Sequence, residues 1–299
     1  MLARDLTRRM GEHLPAPVTE GLRAAALAWG WLTAPWRVLP DVLVVGAQRA
    51  GTTTMFRLLS EHPDLVRPTT TKGTSYFDDE HARGPRWYRA HFPLRPLARL
   101  ARPGRRLRAF ECSGYYLFHP LAAGRIAREL PGAHVVVLVR DPVERARSAH
   151  RHELARGFET LPFDEALRAE EGRLAGEQER LVTRPGSTSF EHRHHAYLAR
   201  GRYGEQVERF VAALGPDRVH VVDADRFFAD PVPHFAALQE RLGLTPWTPP
   251  VVERWNARPA DPLPPDEHAA LLEHFADSDT VLSGYLDDAP SWRAEAVAR

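Results

Sequence analysis

The segment 41–62 constrains the fold of this chain more than any other, because it predicts a buried strand, a tight loop and a helix in direct succession. Residues 41–46 form a short aliphatic run bounded by Pro40 and Gly46, which is typical of a parallel strand buried on both faces. Residues 47–51 predict a loop, and residues 52–62 predict a helix that Pro63 ends. A chain built on such a unit needs further parallel strands and helices that cover the sheet.

Further strands and helices are predicted along most of the chain. The strands fall at residues 107–111, 134–139 and 218–222, and the clearest helices at 120–130, 142–156, 205–214 and 231–242. This alternation predicts an α/β fold with a central, mostly parallel sheet flanked by helices. We expect a helical extension over residues 1–40 and one domain over residues 41–299. The Arg- and Pro-rich residues 95–108 predict an exposed loop, and the Pro-rich residues 246–265 predict a linker or a loop over a site.

Composition narrows the class of protein. The chain has 40 Lys and Arg against 39 Asp and Glu, a formal net charge of +1, which argues against a nucleic-acid partner. Lys72 is the single lysine among those 40 basic residues, so an ammonium group has been kept where arginine is otherwise used. The single cysteine, Cys112, excludes an intramolecular disulfide and a cysteine-based zinc site. It suits a reducing compartment, and we expect a cytoplasmic protein.

The N-terminal region carries an apolar stretch at residues 24–34. A helix needs roughly 20 apolar residues to span a bilayer, and this stretch is too short. We therefore expect no transmembrane segment here but an amphipathic helix, which either packs on the body of the protein or makes a peripheral contact with a membrane surface.

The loop after the first strand is suited to holding an anion. In the run Gly46-Ala-Gln-Arg-Ala-Gly-Thr-Thr-Thr54, small residues let backbone N–H groups converge, and the following helix adds its positive end. An ordinary turn between a strand and a helix is the structural alternative. The nucleoside-triphosphate P-loop, G-x-x-x-x-G-K-[ST], shares both glycines but needs lysine where Thr52 stands. The loop therefore indicates a nucleotide with a different anionic group.

This loop and a second motif together resemble sulfotransferases that use 3′-phosphoadenosine 5′-phosphosulfate (PAPS), in particular bacterial members related to the heparan sulfate N-deacetylase/N-sulfotransferase type. The second motif is Val136-Val-Leu-Val-Arg-Asp-Pro142, which continues to Ser148. The resemblance implies a P-loop-type three-layer fold, a sulfotransferase domain over residues 41–299, and PAPS as the sulfuryl donor. It assigns nucleotide binding to Ala47, Gln48, Arg49, Ala50, Gly51, Thr52, Thr53, Thr54, Arg140 and Ser148.

The residues alone leave a structural alternative for Arg140, an ion pair with Asp141 or Glu144. Weaker matches, among them Gly201-Arg-Tyr203, extend the resemblance over roughly residues 41–245.

The segment from Lys72 to Asp78 resembles the acceptor side of the same family. Negative charge builds on the leaving phosphate oxygen during sulfuryl transfer, and nearby cations stabilise it. Arg49 and Lys72 are the candidates, and no metal is needed. The glutamate that the relatives use as general base corresponds here to Gly73, so the candidate bases are Asp78 and Glu111.

Several alternatives stay open at the level of sequence. A P-loop phosphotransferase that acts on a small molecule would be a different enzyme, and a nucleotide-binding protein without activity would follow from the loss of the glutamate at Gly73. We expect a small-molecule, lipid or saccharide acceptor, and a peptide also stays open, because the sequence shows no acceptor-specific pattern. A metal at the His192-Arg-His-His195 cluster lacks an evident third ligand. Trp87 and Tyr88 could contact the acceptor or fill the core.

Overall fold

Five parallel strands form one central sheet in the computed structural model, which describes residues 16–69, 71–250 and 263–297. The order across the sheet is β2-β3-β1-β4-β5, and the strands are β1 (Pro40–Gly46), β2 (Leu65–Val66), β3 (Arg108–Cys112), β4 (His134–Val139) and β5 (Val219–Asp223). Helices flank the sheet, which confirms the predicted α/β class.

The helices, numbered in chain order, are α1 (Ala16–Leu32), α2 (Thr52–Glu61), α3 (Gly84–Ala90), α4 (Arg95–Leu100), α5 (Ala122–Glu129), α6 (Pro142–Ala155), α7 (Phe163–Leu174), α8 (Glu177–Thr183), α9 (Phe190–His194), α10 (Tyr203–Leu214), α11 (Ala224–Ala229), α12 (Pro231–Arg241), α13 (Pro265–Leu272), α14 (Ala276–Ser283) and α15 (Ser291–Val297). Short 3₁₀ turns, including Ala34–Trp36, join several of them.

Strand β1 lies at the centre of the sheet because its aliphatic side chains can be buried on both faces. Leu43 pairs with Glu111 of β3 on one side and with Val135 of β4 on the other. Leu43 and Val135 are fully buried, as continuous aliphatic runs in a parallel sheet require.

The carboxyl ends of β1, β3 and β4 meet at one edge of the sheet. Backbone hydrogen bonds lock the loops that leave this edge: Ala47 donates to Leu138 over 2.7 Å and Ser113 donates to Val44 over 3.0 Å. Open α/β sheets bind ligands in the crevice outside this edge. The fold therefore brings the loop after β1 close to the motif after β4.

One sequence prediction is wrong in part. Residues 95–108 do not form a loop throughout, because Arg95–Leu100 is the helix α4. Pro96 lies in its first turn, where a missing N–H costs nothing, and Ala98 packs into the core. Most of the predicted loop or linker at 246–265 lies outside the described residues, which omit 251–262.

Helix α1 precedes the sheet and touches the body mainly near its carboxyl end. Gly30 lies so close to α3 that an added Cβ would be 2.5 Å from the Ala90 carbonyl oxygen. The buried Arg37 side chain fixes the following turn by donating to Thr33 over 2.8 Å and to the Ala90 carbonyl over 3.2 Å. Most of α1 before Gly30 is exposed.

Within the described ranges, no helix combines the length and the apolar character that crossing a membrane requires.

Replacing Gly204 tests how the C-terminal helices dock on the domain. A Cβ at this position of α10 would lie 2.4 Å from the Ser278 carbonyl oxygen on α14. We expect Gly204→Ala to lower the free energy of unfolding by about 1–3 kcal/mol, because the two helices must separate. The measurement is urea unfolding followed by circular dichroism.

The matched control is Gly172→Ala in the exposed part of α7, where an added Cβ has no neighbour within 4 Å. It should raise the stability by about 0.5–1 kcal/mol, because alanine loses less backbone entropy in a helix. Equal effects of the two substitutions would contradict this account of the packing.

Candidate functional site

A cleft of about 660 Å³ opens where the loops after β1, β3 and β4 meet. Most of the predicted site residues line it, although they come from parts of the sequence about 90 residues apart. The predicted residues in its lining are Gln48, Arg49, Ala50, Gly51, Thr52, Thr53, Thr54, Lys72, Asp78, Arg140 and Ser148. Ala47 is buried behind the loop, and Glu111 lies beneath the cleft.

The loop after β1 bends sharply before α2 begins. Gly51 has a φ of 89°, and a Cβ there would lie 2.5 Å from the ring of Phe228. Both the backbone conformation and the lack of space therefore require glycine. Arg49 also has a positive φ, of 75°, an unfavourable conformation for a side-chain-bearing residue that is concentrated at functional sites. The loop is therefore held in one shape over the N-terminus of α2.

The second motif closes one end of the cleft. Arg140 donates to the Arg49 carbonyl over 3.3 Å, and the Arg49 guanidinium donates to the Ser148 hydroxyl over 3.1 Å. The buried Nε of Arg140 has no hydrogen-bond partner among the described residues.

The ion pairs that formed the structural alternative for Arg140 are absent from the described contacts. Asp141 caps α6 by accepting from Val143 and Glu144 backbone N–H groups at 2.8 and 3.0 Å, and the Glu144 side chain pairs with Arg147. The Arg140 side chain is therefore oriented toward the cleft without a carboxylate partner from α6.

Lys72 contributes an ammonium group on the opposite wall. Its Nζ donates to the hydroxyls of Thr52 and Thr53 over 3.3 and 3.2 Å. The backbone of the same segment is attached to β3, because Cys112 donates to the Lys72 carbonyl over 3.3 Å. The single lysine of the chain thus reaches the first turn of α2.

The close attachment to β3 explains the glycine that follows. A Cβ at Gly73 would lie 2.3 Å from the Cys112 carbonyl oxygen and 2.5 Å from the Ser113 hydroxyl. A glutamate cannot occupy this backbone position without moving the strand edge. The position at which the family resemblance implies a glutamate base is therefore closed by packing, and another carboxylate has to be considered.

Asp78 lies in the cleft lining and is almost fully buried. One of its oxygens accepts from the Asp79 backbone N–H over 2.6 Å, and Oδ2 has no hydrogen-bond partner in the described part of the chain. Burial raises the pKa of Asp78 to about 7, although the positive charge of Arg193 opposes the shift. This carboxyl group can exchange a proton near neutral pH.

Glu111 occupies a different environment below the cleft. It has no exposed surface and accepts hydrogen bonds from Thr74 N–H and Oγ1 at 2.8 and 2.7 Å, from Tyr116 at 2.8 Å and from Tyr88 at 2.6 Å. Burial, reinforced by the charge of Glu111, raises the pKa values of Tyr88 and Tyr116, so both remain hydroxyl donors. Glu111 ties the acceptor-side segment to the sheet.

The cleft contains a buried arginine that the sequence did not indicate. Arg200 precedes the Gly201-Arg-Tyr203 motif, and its side chain contacts the side chain of Gln48 and donates to the His192 and Arg193 carbonyls. Burial lowers its pKa to about 10. The adjacent family motif was the available signal, but the motif itself does not include Arg200.

Tyr115 and Arg193 also line the cleft without having been predicted. The guanidinium groups of Arg193 and Arg200 lie 5.3 and 4.9 Å from the Tyr115 ring centroid, a cation–π arrangement. Arg193 forms an ion pair with Asp79. These residues bound the end of the cleft next to Asp78.

The histidine cluster has structural partners. His192 contacts the Tyr115 hydroxyl at 2.7 Å, His194 contacts Glu153 at 3.0 Å and His195 contacts Glu191 at 2.5 Å. Within residues 16–69, 71–250 and 263–297, no group of three or more possible metal ligands converges.

The two aromatic residues left open by the sequence differ in placement. Tyr88 is buried and donates to Glu111, whereas Trp87 packs against the core with Arg83 over its ring at 5.1 Å. Neither residue is in the cleft lining.

Comparisons with known proteins identify the family to which this chain belongs. A family model described as "Sulfotransferase domain" matches residues 39–259, and the chain therefore belongs to the sulfotransferase family. A crystallised sulfotransferase from Alicyclobacillus acidocaldarius is 28% identical, with a TM-score of 0.62 over 86% of this chain and 99% of that one. This membership favours sulfuryl transfer over the phosphotransferase interpretation.

The curated relatives are larger proteins. The bifunctional heparan sulfate N-deacetylase/N-sulfotransferase 2 of Homo sapiens is 27% identical over 217 residues, which cover 70% of this chain and 22% of that protein. The corresponding protein 1 of Caenorhabditis elegans is 25% identical over 211 residues, which cover 69% and 22%. The chain thus spans less than a quarter of the length of these relatives.

Replacing Asp78 by asparagine should stabilise the protein at high pH. The pKa of this carboxyl group rises from 3.8 to about 7 on folding, so the native state retains a proton that the unfolded chain loses. Stability therefore falls as the pH rises from about 4 to 7 and stays low above that range. We expect Asp78→Asn to raise the free energy of unfolding at pH 8 by up to about 4 kcal/mol, and by less at pH 5, in urea titrations.

Asp64→Asn is the control, for which we expect the opposite change in stability at pH 8. Asp64 is also buried, but hydrogen bonds from Thr245 help to hold its pKa below 3.8 against desolvation, so its ionised form stabilises the fold at pH 8. This variant should be less stable than the native protein at pH 8. A loss of stability at pH 8 in the Asp78 variant as well would refute the proposed environment of Asp78.

Proposed function

We propose that the cleft binds PAPS through two groups of anion-binding residues. The loop residues Gln48–Thr54 would hold the 5′-phosphosulfate, and Arg140 and Ser148 would hold the 3′-phosphate. The donor set fits such a ligand, because hydroxyls, a helix N-terminus and several cationic side chains, among them Arg49, Lys72 and Arg140, surround one cleft. The buried Nε of Arg140, which lacks a partner among the described residues, is the observation that carries this proposal.

Bound PAPS would supply the sulfuryl group and leave as 3′-phosphoadenosine 5′-phosphate. Arg49 and Lys72 would stabilise the negative charge that develops during transfer, because both lie beside the first turn of α2. Thr52 and Thr53 orient the Lys72 ammonium group. We propose that no metal takes part, since these cations supply the required positive charge.

Asp78 is our candidate for the general base. It lies in the cleft lining, one of its oxygens has no partner among the described residues, and its pKa of about 7 suits proton transfer at neutral pH. Glu111 is not in the cleft lining, and tyrosine and threonine donors occupy its oxygens. We therefore assign Glu111 a positioning role for the segment that carries Asp78.

The acceptor is proposed at the level of chemical class. A hydroxyl or amine of a small molecule, a lipid or a saccharide would approach between Asp78 and Tyr115, where polar and aromatic side chains line the cleft. Residues 41–299 would form the catalytic domain and residues 1–40 an extension. We further propose that the protein acts in the cytoplasm without a nucleic-acid partner, in keeping with its single cysteine and its net charge of +1.

Asp78→Asn should lower kcat by roughly 10²–10⁴-fold, because the variant cannot accept the acceptor proton. The native enzyme should become more active as the pH rises through about 7, where Asp78 loses its proton, and the variant should lose this dependence. The measurement is sulfuryl transfer from PAPS to a panel of phenols, alcohols and sugars. Binding of 3′-phosphoadenosine 5′-phosphate should stay unchanged in the variant.

Glu111→Gln is the matched control, since it makes the same change of atoms just beneath the cleft. We expect it to reduce stability, because its amide nitrogen cannot accept from the surrounding hydroxyls, and to retain the pH dependence. If the pH dependence of activity were lost in the Glu111 variant and kept in the Asp78 variant, Glu111 would be the general base instead of Asp78.

Arginine substitutions should separate the two ends of the nucleotide. We expect Arg140→Ala to lower the affinity for 3′-phosphoadenosine 5′-phosphate by roughly 10- to 100-fold, because hydrogen bonds to a charged group are lost. The affinity for ADP, which lacks the 3′-phosphate, should stay almost unchanged. Arg49→Ala should lower the affinity for both nucleotides. Isothermal titration calorimetry measures these affinities.

Arg128→Ala serves as the control for the nucleotide titrations, because Arg128 is exposed on α5 and does not line the cleft. Its affinities should equal those of the native protein. Unchanged affinity in both cleft variants, or binding of ADP alone, would exclude the proposed nucleotide site.

A further inference from the structure

An exposed apolar surface lies beside the N-terminal helix. Its large side chains come from α1, from the 3₁₀ turn that follows and from α4, and their exposed fractions reach 63% for Trp36 and 80% for Leu100. We call these residues the aromatic face: Trp29, Trp31, Leu32, Trp36, Leu97 and Leu100.

Helix α1 is too apolar for a helix that faces water. Its 17 residues include only two charges, Glu20 and Arg23, yet most of its described side chains are exposed. Apolar surface left in water costs about 25 cal/mol per Å² relative to burial, and a helix that is apolar on most sides is normally covered. Contiguous exposed apolar surface of this kind marks a site of contact with a membrane or another molecule.

A basic segment borders the aromatic face. Residues 82–110 contain nine arginines and no aspartate or glutamate, whereas the whole chain is almost neutral. Six of these arginines are exposed. Arg83 pairs with Glu80 outside the segment, and the other five have no acidic residue within the segment: Arg86, Arg95, Arg99, Arg105 and Arg106.

The two features are continuous in space. Arg86 lies over the Trp31 ring at 4.8 Å from the centroid. An isolated antiparallel bridge joins Arg37 to Leu94. Trp36 and Arg95, the next residue on each side, therefore lie close to one another. Helix α1 also packs on α3, which belongs to the basic segment. Exposed indoles and exposed guanidinium groups thus lie next to one another at Trp31 and Arg86 and at Trp36 and Arg95.

We propose that this side of the protein docks on an anionic lipid bilayer. Indole rings prefer the boundary between headgroups and acyl chains, an apolar helix can lie in that plane, and each nearby arginine is attracted by anionic headgroups. A second copy of the chain fits less well. A symmetric dimer would set this face against itself, and the arginines of the two subunits would oppose one another.

The test is co-sedimentation of the full chain with vesicles of phosphatidylcholine, with or without phosphatidylglycerol. Binding should require phosphatidylglycerol and weaken as salt is raised. The double variant Arg95→Glu/Arg99→Glu should reduce the partition coefficient at least tenfold, since each arginine contributes about a fivefold effect at an anionic surface. Trp36→Ser/Leu100→Ser should reduce it by a similar factor.

Matched controls use exposed residues from other sides of the molecule. Arg184→Glu/Arg202→Glu makes the same charge change, and Val232→Ser/Phe190→Ser makes a comparable apolar change. Both should bind vesicles like the native protein, and all variants should keep their affinity for 3′-phosphoadenosine 5′-phosphate.

Three results would overturn the proposal. The first is equal binding of the native chain and the variants of the docking side, and the second is no binding to anionic vesicles at all. The third is a dimer in sedimentation velocity that Trp36→Ser/Leu100→Ser dissociates, without vesicle binding, which would identify a second copy as the occupant. If the native chain did not bind 3′-phosphoadenosine 5′-phosphate, only the proposed nucleotide site would be refuted. The membrane proposal would not be affected.

Discussion

The hydrogen-bonded Glu111 side chain is the interaction on which the acceptor side of the cleft depends. It lies at the buried end of β3 and gathers donors from Thr74, Tyr88 and Tyr116, which belong to three different parts of the chain. A buried acceptor of this kind is costly unless all its hydrogen bonds are made. Because they are made here, the segment that carries Lys72 and Asp78 is fixed against the sheet edge.

The contrast between the two carboxyl groups gives the site its chemistry. Glu111 is surrounded by donors, whereas Asp78 has been buried with one oxygen unpartnered among the described residues. Glu111 therefore serves as a structural hydrogen-bond acceptor, whereas burial raises the pKa of Asp78 to about 7 and makes it a candidate for proton transfer. The buried carboxyl group of Asp78 lowers the free energy of unfolding at neutral pH. This destabilisation is compatible with a functional role, since functional sites commonly retain groups with shifted pKa values.

Much of the fold could be predicted from the sequence, because its signals are local. Aliphatic runs such as residues 41–46 specify buried strands, and the glycines and threonines of the following loop indicate an anion site. Helix α4 was missed because Arg- and Pro-rich composition favours a loop, while burial of Ala98 decides for a helix. Arg200 was missed because its importance depends on Gln48, 152 residues away in sequence, and no local pattern encodes that contact.

The sequence by itself determined strands β1, β3, β4 and β5 with the main helices between them, the two anion-binding motifs and the unusual Gly73, since each depends on neighbouring residues in the chain. Only the tertiary structure decided which carboxylate faces the cleft, why Gly73 has no room for a side chain, and where the exposed indoles meet the arginines. The physical reason is that hydrophobic periodicity specifies the elements, whereas the contacts between distant residues are set by the order in which the strands pair. Placing β1 between β3 and β4 brings Lys72, Asp78 and Arg140 to one cleft.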